Sequence, residues 1–344
     1  MNIKDYGATD EAIASSGKNT LARISAVHKG RYGIVSDFGE GSAQLKSREY
    51  YFDGEVFPTV GDFVLGDYNN DGDSRIISTL PRRTFFSRSD PFRGEQALAA
   101  NFDYVFIMQS LNHDFNPKRL ERYLTAAYQS GAEPVVILTK ADLTDDYLPY
   151  ILKVSRVAED VKCHIVSSKT GYGMDELSRY LEPGKTLVFL GSSGVGKSSL
   201  VNTLADKEIM DTNGIREDDS KGRHTTTHRE LIMLPCGAMI IDTPGMRELG
   251  MWDVTEGLGE AFSDVEAILA RGCKFRDCRH ISEPGCAVRA AIESGELDPA
   301  RYESYMNLKS EARYSDSTAE CRRQKEQFFR AISIRERKKN KEIY

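Results

Sequence analysis

Short apolar runs alternate with turn residues along the first part of this chain, and the rhythm changes twice before its end. Between about Leu21 and Arg88, the segments LARISAVHKG, RYGIVSDFGEG, SAQLKS, VGDFVLGDYNNDGDS and RIISTLP set β-branched and aromatic residues between Gly, Asn and Asp. Roughly five short strands in so small a span predict a small barrel, with an OB-fold or another small β-domain as the two options. From about Asn101, FDYVFIMQ, PVVILT, CHIVSS, TLVFLG and GAMIIDT read as buried strands. Between them, NPKRLERYLTAAYQSG and KSSLVNTLAD have the spacing of amphipathic helices. That alternation predicts a parallel sheet covered by helices, an α/β domain. From about Asp253 the chain is charged and mostly helical. The expected organisation is a polar leader over 1–20 that need not be ordered, a barrel over 21–92, an α/β domain over 93–252 and a helical domain over 253–344.

Composition narrows the setting. No apolar run approaches the ~20 residues that cross a bilayer, and the polar, mixed-charge opening residues do not form a signal peptide. A cytosolic, monomeric protein without a membrane partner is expected, in a compartment where thiols stay reduced. Its six cysteines therefore ask for a reading other than disulfides. The formal net charge of −6 gives no support to nucleic-acid binding by the whole surface, and DNA is not an expected partner. Basic residues nevertheless concentrate in the tail from Cys321 and in Pro81–Arg93, where four arginines face one acid. Such local patches are what meets a phosphate backbone.

The sharpest chemistry is at Gly191–Ser199, GSSGVGKSS, between a predicted strand and a predicted helix. Gly191, Gly196, Lys197 and Ser198 fit G-x-x-x-x-G-K-[ST], in which successive backbone N–H groups around Ser192, Ser193, Gly194 and Val195 turn toward phosphate oxygens. Lys197 would reach the β- and γ-phosphates, and Ser198 would ligate Mg²⁺. Thr139-Lys140-Ala141-Asp142 follows the strand PVVIL and fits the [NT]KxD pattern that reads guanine. A carboxylate there accepts from the ring N–H and the exocyclic amine, and adenine supplies neither donor. An ATPase or small-molecule kinase requires Asp142 to lie elsewhere. Ser167–Gly171, SSKTG, follows another strand and resembles the loop that supports guanine through Ser168 and Lys169. Asp242 and Gly245 of DTPG would hold Mg²⁺ through water and sense the γ-phosphate. A threonine among Thr225, Thr226 and Thr227 fits a switch that closes on Mg²⁺, with no basis for choosing one.

In ordinary GTPases the phosphate loop comes first and the guanine motifs last. Here the guanine motifs precede it, so the order is circularly permuted. Met246 stands where many GTPases carry a water-orienting glutamine, and an apolar side chain cannot position water. His224 is the favoured replacement, and His228 the weaker one. Cys273, Cys278, His280 and Cys286 lie within a short segment and supply soft ligands for one tetrahedral Zn²⁺. With four protein ligands the metal has no open position and is structural. No C-x-x-C pair argues for a redox role.

LPRRTFFSR, SLNHDFNPKRLERYLTAA, VVILTKADL, SSKTG, GSSGVGKSSL, GRHTTT, DTPGMREL and FRDCRHISEPGCAV together resemble the ribosome-small-subunit-dependent GTPases, the RsgA or YjeQ family. The resemblance covers about 21–300 and implies an N-terminal OB-fold, a circularly permuted P-loop GTPase domain and a C-terminal zinc-binding domain. It implies action late in small-subunit assembly, with rRNA and the subunit as partners, GTP hydrolysis stimulated by the subunit, and release on hydrolysis. It also places the nucleotide site at Thr139–Asp142, Ser168, Lys169 and Gly191–Ser199, the zinc site at the Cys-Cys-His-Cys cluster, and the proposed catalytic histidine at His224. An rRNA-binding scaffold in which hydrolysis is incidental is the different-class alternative. Thr139 replaces the asparagine of most GTPases, and Gly194 stands where potassium-activated ones carry asparagine, so no potassium site is predicted.

Overall fold

The computed structural model describes residues 1–28, 30–46, 50, 56–90, 94–210, 229–242 and 255–313. They divide into two compact units, the first within 1–87 and 97–242, the second within 88–96 and 255–313.

The expected leader is folded. A 3₁₀ turn at Ile3–Tyr6 and helix α1, Asp10–Ser15, are each capped by a side chain: Asn2 accepts from Lys4 N–H and Thr9 from Ala12 N–H. Ile3 is buried with Leu21, Phe63 and Leu65, and its N–H donates to Asp37 at 2.7 Å. The sequence hid this because the leader's apolar residues, Ile3, Tyr6, Ala8, Ala12 and Ile13, are scattered and make no periodic signal.

Strands β1 (Thr20–His28), β2 (Arg31–Ser36), β3 (Gly39–Leu45), β4 (Phe63–Asp67) and β5 (Ser74–Thr79) follow. They pair in the order β1-β2-β3-β5-β4 and close through β1–β4, the OB-fold arrangement. Alternate residues Ala22, Ile24, Ile34, Ala43, Val64 and Ile76 fill the barrel. Strands β6 (Phe85–Asp90) and β7 (Gly94–Ala100) form a separate two-stranded sheet.

The α/β part runs β8 (Tyr104–Ser110), α2 (Pro117–Gln129), β9 (Glu133–Thr139), α3 (Leu148–Ser155), β10 (Lys162–Ile165), β11 (Thr186–Gly191), α4 (Lys197–Ala205), β12 (Arg229–Met233) and β13 (Met239–Asp242). The GMDELSRYLEPG segment carries a 3₁₀ helix, Met174–Tyr180. Strands β10, β9, β8, β11 and β13 are parallel neighbours, and β12 joins β13 antiparallel. Their near-continuous burial is what a sheet covered on both faces requires.

Barrel and α/β sheet are not separate. β12 also pairs with β1, Val27 opposite Arg229 and Ala26 opposite Glu230, so eleven strands run as one sheet. The junction is held by Arg23, fully buried on β1. Its Nε donates to Gly61 O at 3.2 Å, Nη1 to Tyr6 O at 2.7 Å and Thr186 Oγ1 at 3.0 Å, and Nη2 to Asn101 O at 2.7 Å. Burial pulls the guanidinium down to about 10, against the fields of Asp103 and Asp62. Replacing Arg23 by Met takes its donors from the buried Asn101 carbonyl and Thr186 hydroxyl, while Gly61 O keeps its bond from Asn101 Nδ2. Arg23→Met is expected to destabilise this unit by about 3 kcal/mol or more, measured by urea unfolding; a loss under about 1 kcal/mol contradicts the assignment.

The second unit holds α5 (Thr255–Ala261), α6 (Ser263–Ala270), α7 (Ala287–Glu293) and a helix over 299–313, α8. Phe262, Val265, Ile268, Val288 and Tyr305 are buried in it. Among the described residues no helix is long and apolar enough to cross a membrane.

Candidate functional site

Parallel α/β sheets place their functional loops at the carboxyl ends of the strands. Four of the expected segments gather there, after β9, β10, β11 and β13.

The phosphate loop leaves β11 at Gly191. A Cβ at this position would lie 2.9 Å from Val195 Cγ1 and 3.1 Å from Met108 Cβ, so only glycine lets the loop turn this tightly against β8. Gly196, at φ 105°, caps α4 in a conformation side chains avoid. Lys197, Ser198 and Ser199 form the first turn of α4, whose N-terminal amides favour an anion. Lys197 Nζ lies 2.7 Å from Asp242 Oδ1 at the end of β13, so two of the residues the motifs single out are paired.

The guanine motifs are tied to this loop. Thr139 Oγ donates to Val195 O at 2.6 Å. The bond needs one short donor, which accounts for threonine serving where most GTPases use asparagine. Lys140 adopts φ 60° and caps a short 3₁₀ segment, Ala141–Leu143, of which Asp142 is the middle residue. Asp142 Oδ1 accepts from Ser167 Oγ at 2.7 Å, and Oδ2 lies 3.6 Å from Lys169 Nζ. The Ser167 hydroxyl, aided by Lys169, holds the Asp142 carboxyl below its ordinary range, so it stays an acceptor. Sequence reasoning singled out Ser168; the orienting role of its buried neighbour Ser167 was missed, because spacing alone does not tell which serine points inward. Sequence reasoning also did not single out Asp114, which accepts from Ser192 Oγ at 2.6 Å and is paired with Arg119 at 2.9 Å.

His224, Thr225, Thr226, Thr227, His228, Gly245 and Met246 lie outside the described residues.

In the second unit, Cys273, Cys278, His280 and Cys286 converge, their ligand atoms all within 4.8 Å of one another. His280 Nδ1 lies 3.5, 3.6 and 3.4 Å from the sulfurs of Cys273, Cys278 and Cys286. Bond lengths of ~2.3 Å to sulfur and ~2.0 Å to nitrogen at tetrahedral angles put N and S ~3.5 Å apart, so the donor set fits Zn²⁺ without rearrangement. The surrounding chain holds the sulfurs in place. Ala287 N–H points at Cys273 Sγ and Arg289 N–H at Cys286 Sγ from the first turn of α7, and His280 N–H at Cys278 Sγ. Glu283 accepts from the N–H groups of Arg279, Ile281 and Ser282, which pull its carboxyl down to about 2 and fix the knuckle.

With the geometry in place, comparison identifies the chain. A family model described as RsgA GTPase matches residues 79–252. The chain belongs to the RsgA GTPase family. It is 47% identical over 319 residues to the small ribosomal subunit biogenesis GTPase RsgA 2 of Listeria monocytogenes, covering 91% of this chain and 90% of that one. The RsgA of Xanthomonas axonopodis pv. citri is 46% identical over 89% of this chain and 85% of its own. Among solved structures, YjeQ from Thermotoga maritima superposes with a TM-score of 0.63 at 25% identity, covering 84% of this chain and 97% of that one. YloQ, described as a circularly permuted GTPase, gives 0.60 at 27%, over 87% and 96%. The RsgA membership, the GTPase class and the permuted fold expected from the motifs are thereby established.

Proposed function

We propose that this RsgA GTPase is a nucleotide switch of small-ribosomal-subunit maturation, binding GTP–Mg²⁺ at one edge of its sheet and hydrolysing it when the subunit is bound. Gly191–Ser199 cradles the phosphates, Lys197 neutralises the β- and γ-oxygens, and Ser198 and Asp242 take Mg²⁺. Asp142 reads the guanine edge, with Thr139, Lys140, Ser168 and Lys169 shaping the base pocket. The observation that carries this reading is the Asp142 carboxylate, kept ionised and aimed by Ser167, on a loop that Thr139 bonds directly to the phosphate loop. His224 positions the attacking water, and a threonine of 225–227 and Gly245 respond to the γ-phosphate. Cys273, Cys278, His280 and Cys286 hold one structural Zn²⁺, and the protein works as a cytoplasmic monomer.

Association with the small subunit is supported by the curated relatives, described as small ribosomal subunit biogenesis GTPases, and by the pairing of the barrel with the α/β sheet. β12 starts at Arg229, directly after the segment bearing His224, and pairs with barrel strand β1. A partner seated on the barrel thus bears on β12 through its pairing with β1. Hydrolysis then promotes release.

The test is GTP turnover with and without purified small subunits, ATP serving as control. Stimulation by at least ~10²-fold, confined to GTP, is expected, because Met246 leaves water unpositioned until the partner binds. Turnover unchanged by subunits removes the switch role. His224→Ala is expected to keep GTP binding and lose stimulated turnover; normal subunit release by this variant favours the scaffold reading.

A further inference from the structure

The loop from β8 into α2 reaches the phosphate loop with a carboxylate. Asp114 Oδ2 accepts from Ser192 Oγ at 2.6 Å, the residue directly after Gly191. Arg119, in the first turn of α2, donates through Nη2 to the same carboxylate oxygen at 2.9 Å and also to the Asp114 carbonyl. Asp114 N–H donates to Asn112 Oδ1 at 3.0 Å, and that oxygen takes a second bond from Ser110 Oγ at 2.8 Å. Asn116, the cap of α2, donates its N–H to Gln109 Oε1 at 3.2 Å. The carboxylate is thus anchored to the end of β8 on one side and to α2 on the other. Burial pushes its proton affinity up, but the Ser192 and Arg119 bonds outweigh that and hold it below the ordinary carboxylate range.

We propose that Asp114 is a positioning residue for the phosphate loop, holding Ser192 in place while Arg119 clamps and neutralises it. The inference rests on the phosphate-loop reading above. A loop with glycines at 191, 194 and 196 has little side-chain restraint of its own, and the freedom it loses on closing round phosphates counts against binding. A charge-assisted bond at Ser192, near the start of the turn, removes part of that freedom beforehand. A lone carboxylate this close to phosphates would repel them; paired with Arg119 it presents no net charge. The same shell keeps two buried donors, Gln109 Nε2 and Arg119 Nε, without a partner among the described residues.

A positioning role and a merely structural one part company on ligands with and without phosphate. The experiment measures dissociation constants for GDP and for guanosine with the full chain, for the native protein, Asp114→Ala, Ser192→Ala and the double variant. Each single variant is expected to weaken GDP about ten-fold, the usual worth of one hydrogen bond to a charged group, with guanosine unchanged. The double variant is expected to be no weaker than the worse single one, since both remove the same bond. Equal losses for GDP and guanosine, additive losses in the double variant, or no loss overturns the proposal. Should Asp114→Ala not fold, Ser192→Ala alone gives the same contrast. Native protein that binds guanosine but gains nothing from the phosphates of GDP sinks the phosphate-loop reading itself, an outcome distinct from any variant result.

Discussion

Stripping the metal with a strong chelator, or replacing Cys286 with alanine, is expected to unfold the unit built on α5 to α8. Apparent binding energies of structural zinc reach ~10–16 kcal/mol at neutral pH, more than the whole stability of a small domain. The apolar core of this unit is a few helix faces around Phe262, Val265, Ile268, Val288 and Tyr305, and small cores seldom suffice without a staple. Its cluster also fixes local structure directly: Cys286 caps α7, and His280 turns the chain at φ 62°, a left-handed conformation uncommon outside glycine. One zinc per chain by elemental analysis, and loss of helical circular dichroism on chelation, are the expected readings. Helicity unchanged in protein proven metal-free would refute the structural role. The barrel and α/β unit, with its own cores, is expected to keep its GDP affinity through the same treatment.

Acid is expected to act like the chelator. Zinc binds thiolates, so protons compete with it, and occupancy falls as pH falls. Burial pushes the Cys278 thiol up to about 11, whereas the Ala287 N–H favours the Cys273 thiolate. Release at mild acidity, followed by metal-sensitive dye, is the expected sequence; the α/β unit, lacking such ligands among its described residues, is expected to outlast it.

How far the sequence carried depended on whether a feature was local. The strands LARISAVHKG through RIISTLP became β1 to β5, because turn residues and alternation are local signals. The GSSGVGKSS, TKAD and SSKTG segments and Asp242 come to one edge of the sheet because each lies at the carboxyl end of an apolar strand, which is a local signal. The cysteine cluster was legible because its ligands fall within one short segment. What stayed hidden was long-range. Arg23 bonds Thr186 across 163 positions, and Asp114 bonds Ser192 across 78. No period or spacing encodes such pairs. For the same reason the barrel and the α/β part read as separate domains, although β1 and β12 join them into one sheet. Arg23 even reads as a polar break in the apolar alternation of β1, where it is the most heavily bonded side chain of the junction.

Exchanging Asp142 for asparagine is expected to cost GTP affinity by a factor of about 10⁴ or more. Guanine offers two donors to this position, the ring N–H and the exocyclic amine. A carboxylate accepts both, whereas an amide accepts one and sets its own N–H₂ against the other, leaving buried donors face to face. The same amide suits a base with one donor and one acceptor on that edge, which is xanthine. XTP is therefore expected to bind Asp142→Asn better than GTP does, in competition against a fluorescent nucleotide; a variant that still prefers GTP would put Asp142 outside the base pocket. Ser167→Ala separates aim from charge. It removes the 2.7 Å bond that orients the carboxylate but keeps the acceptors, so a loss of only about ten-fold is expected, without a change of base preference. The two variants also differ in their response to pH. Ser167 holds the Asp142 carboxyl below its ordinary range, so guanine binding by the native protein persists above that depressed value and is lost as pH falls through it. In Ser167→Ala the carboxyl returns toward its ordinary value, and the loss is expected to begin at a higher pH.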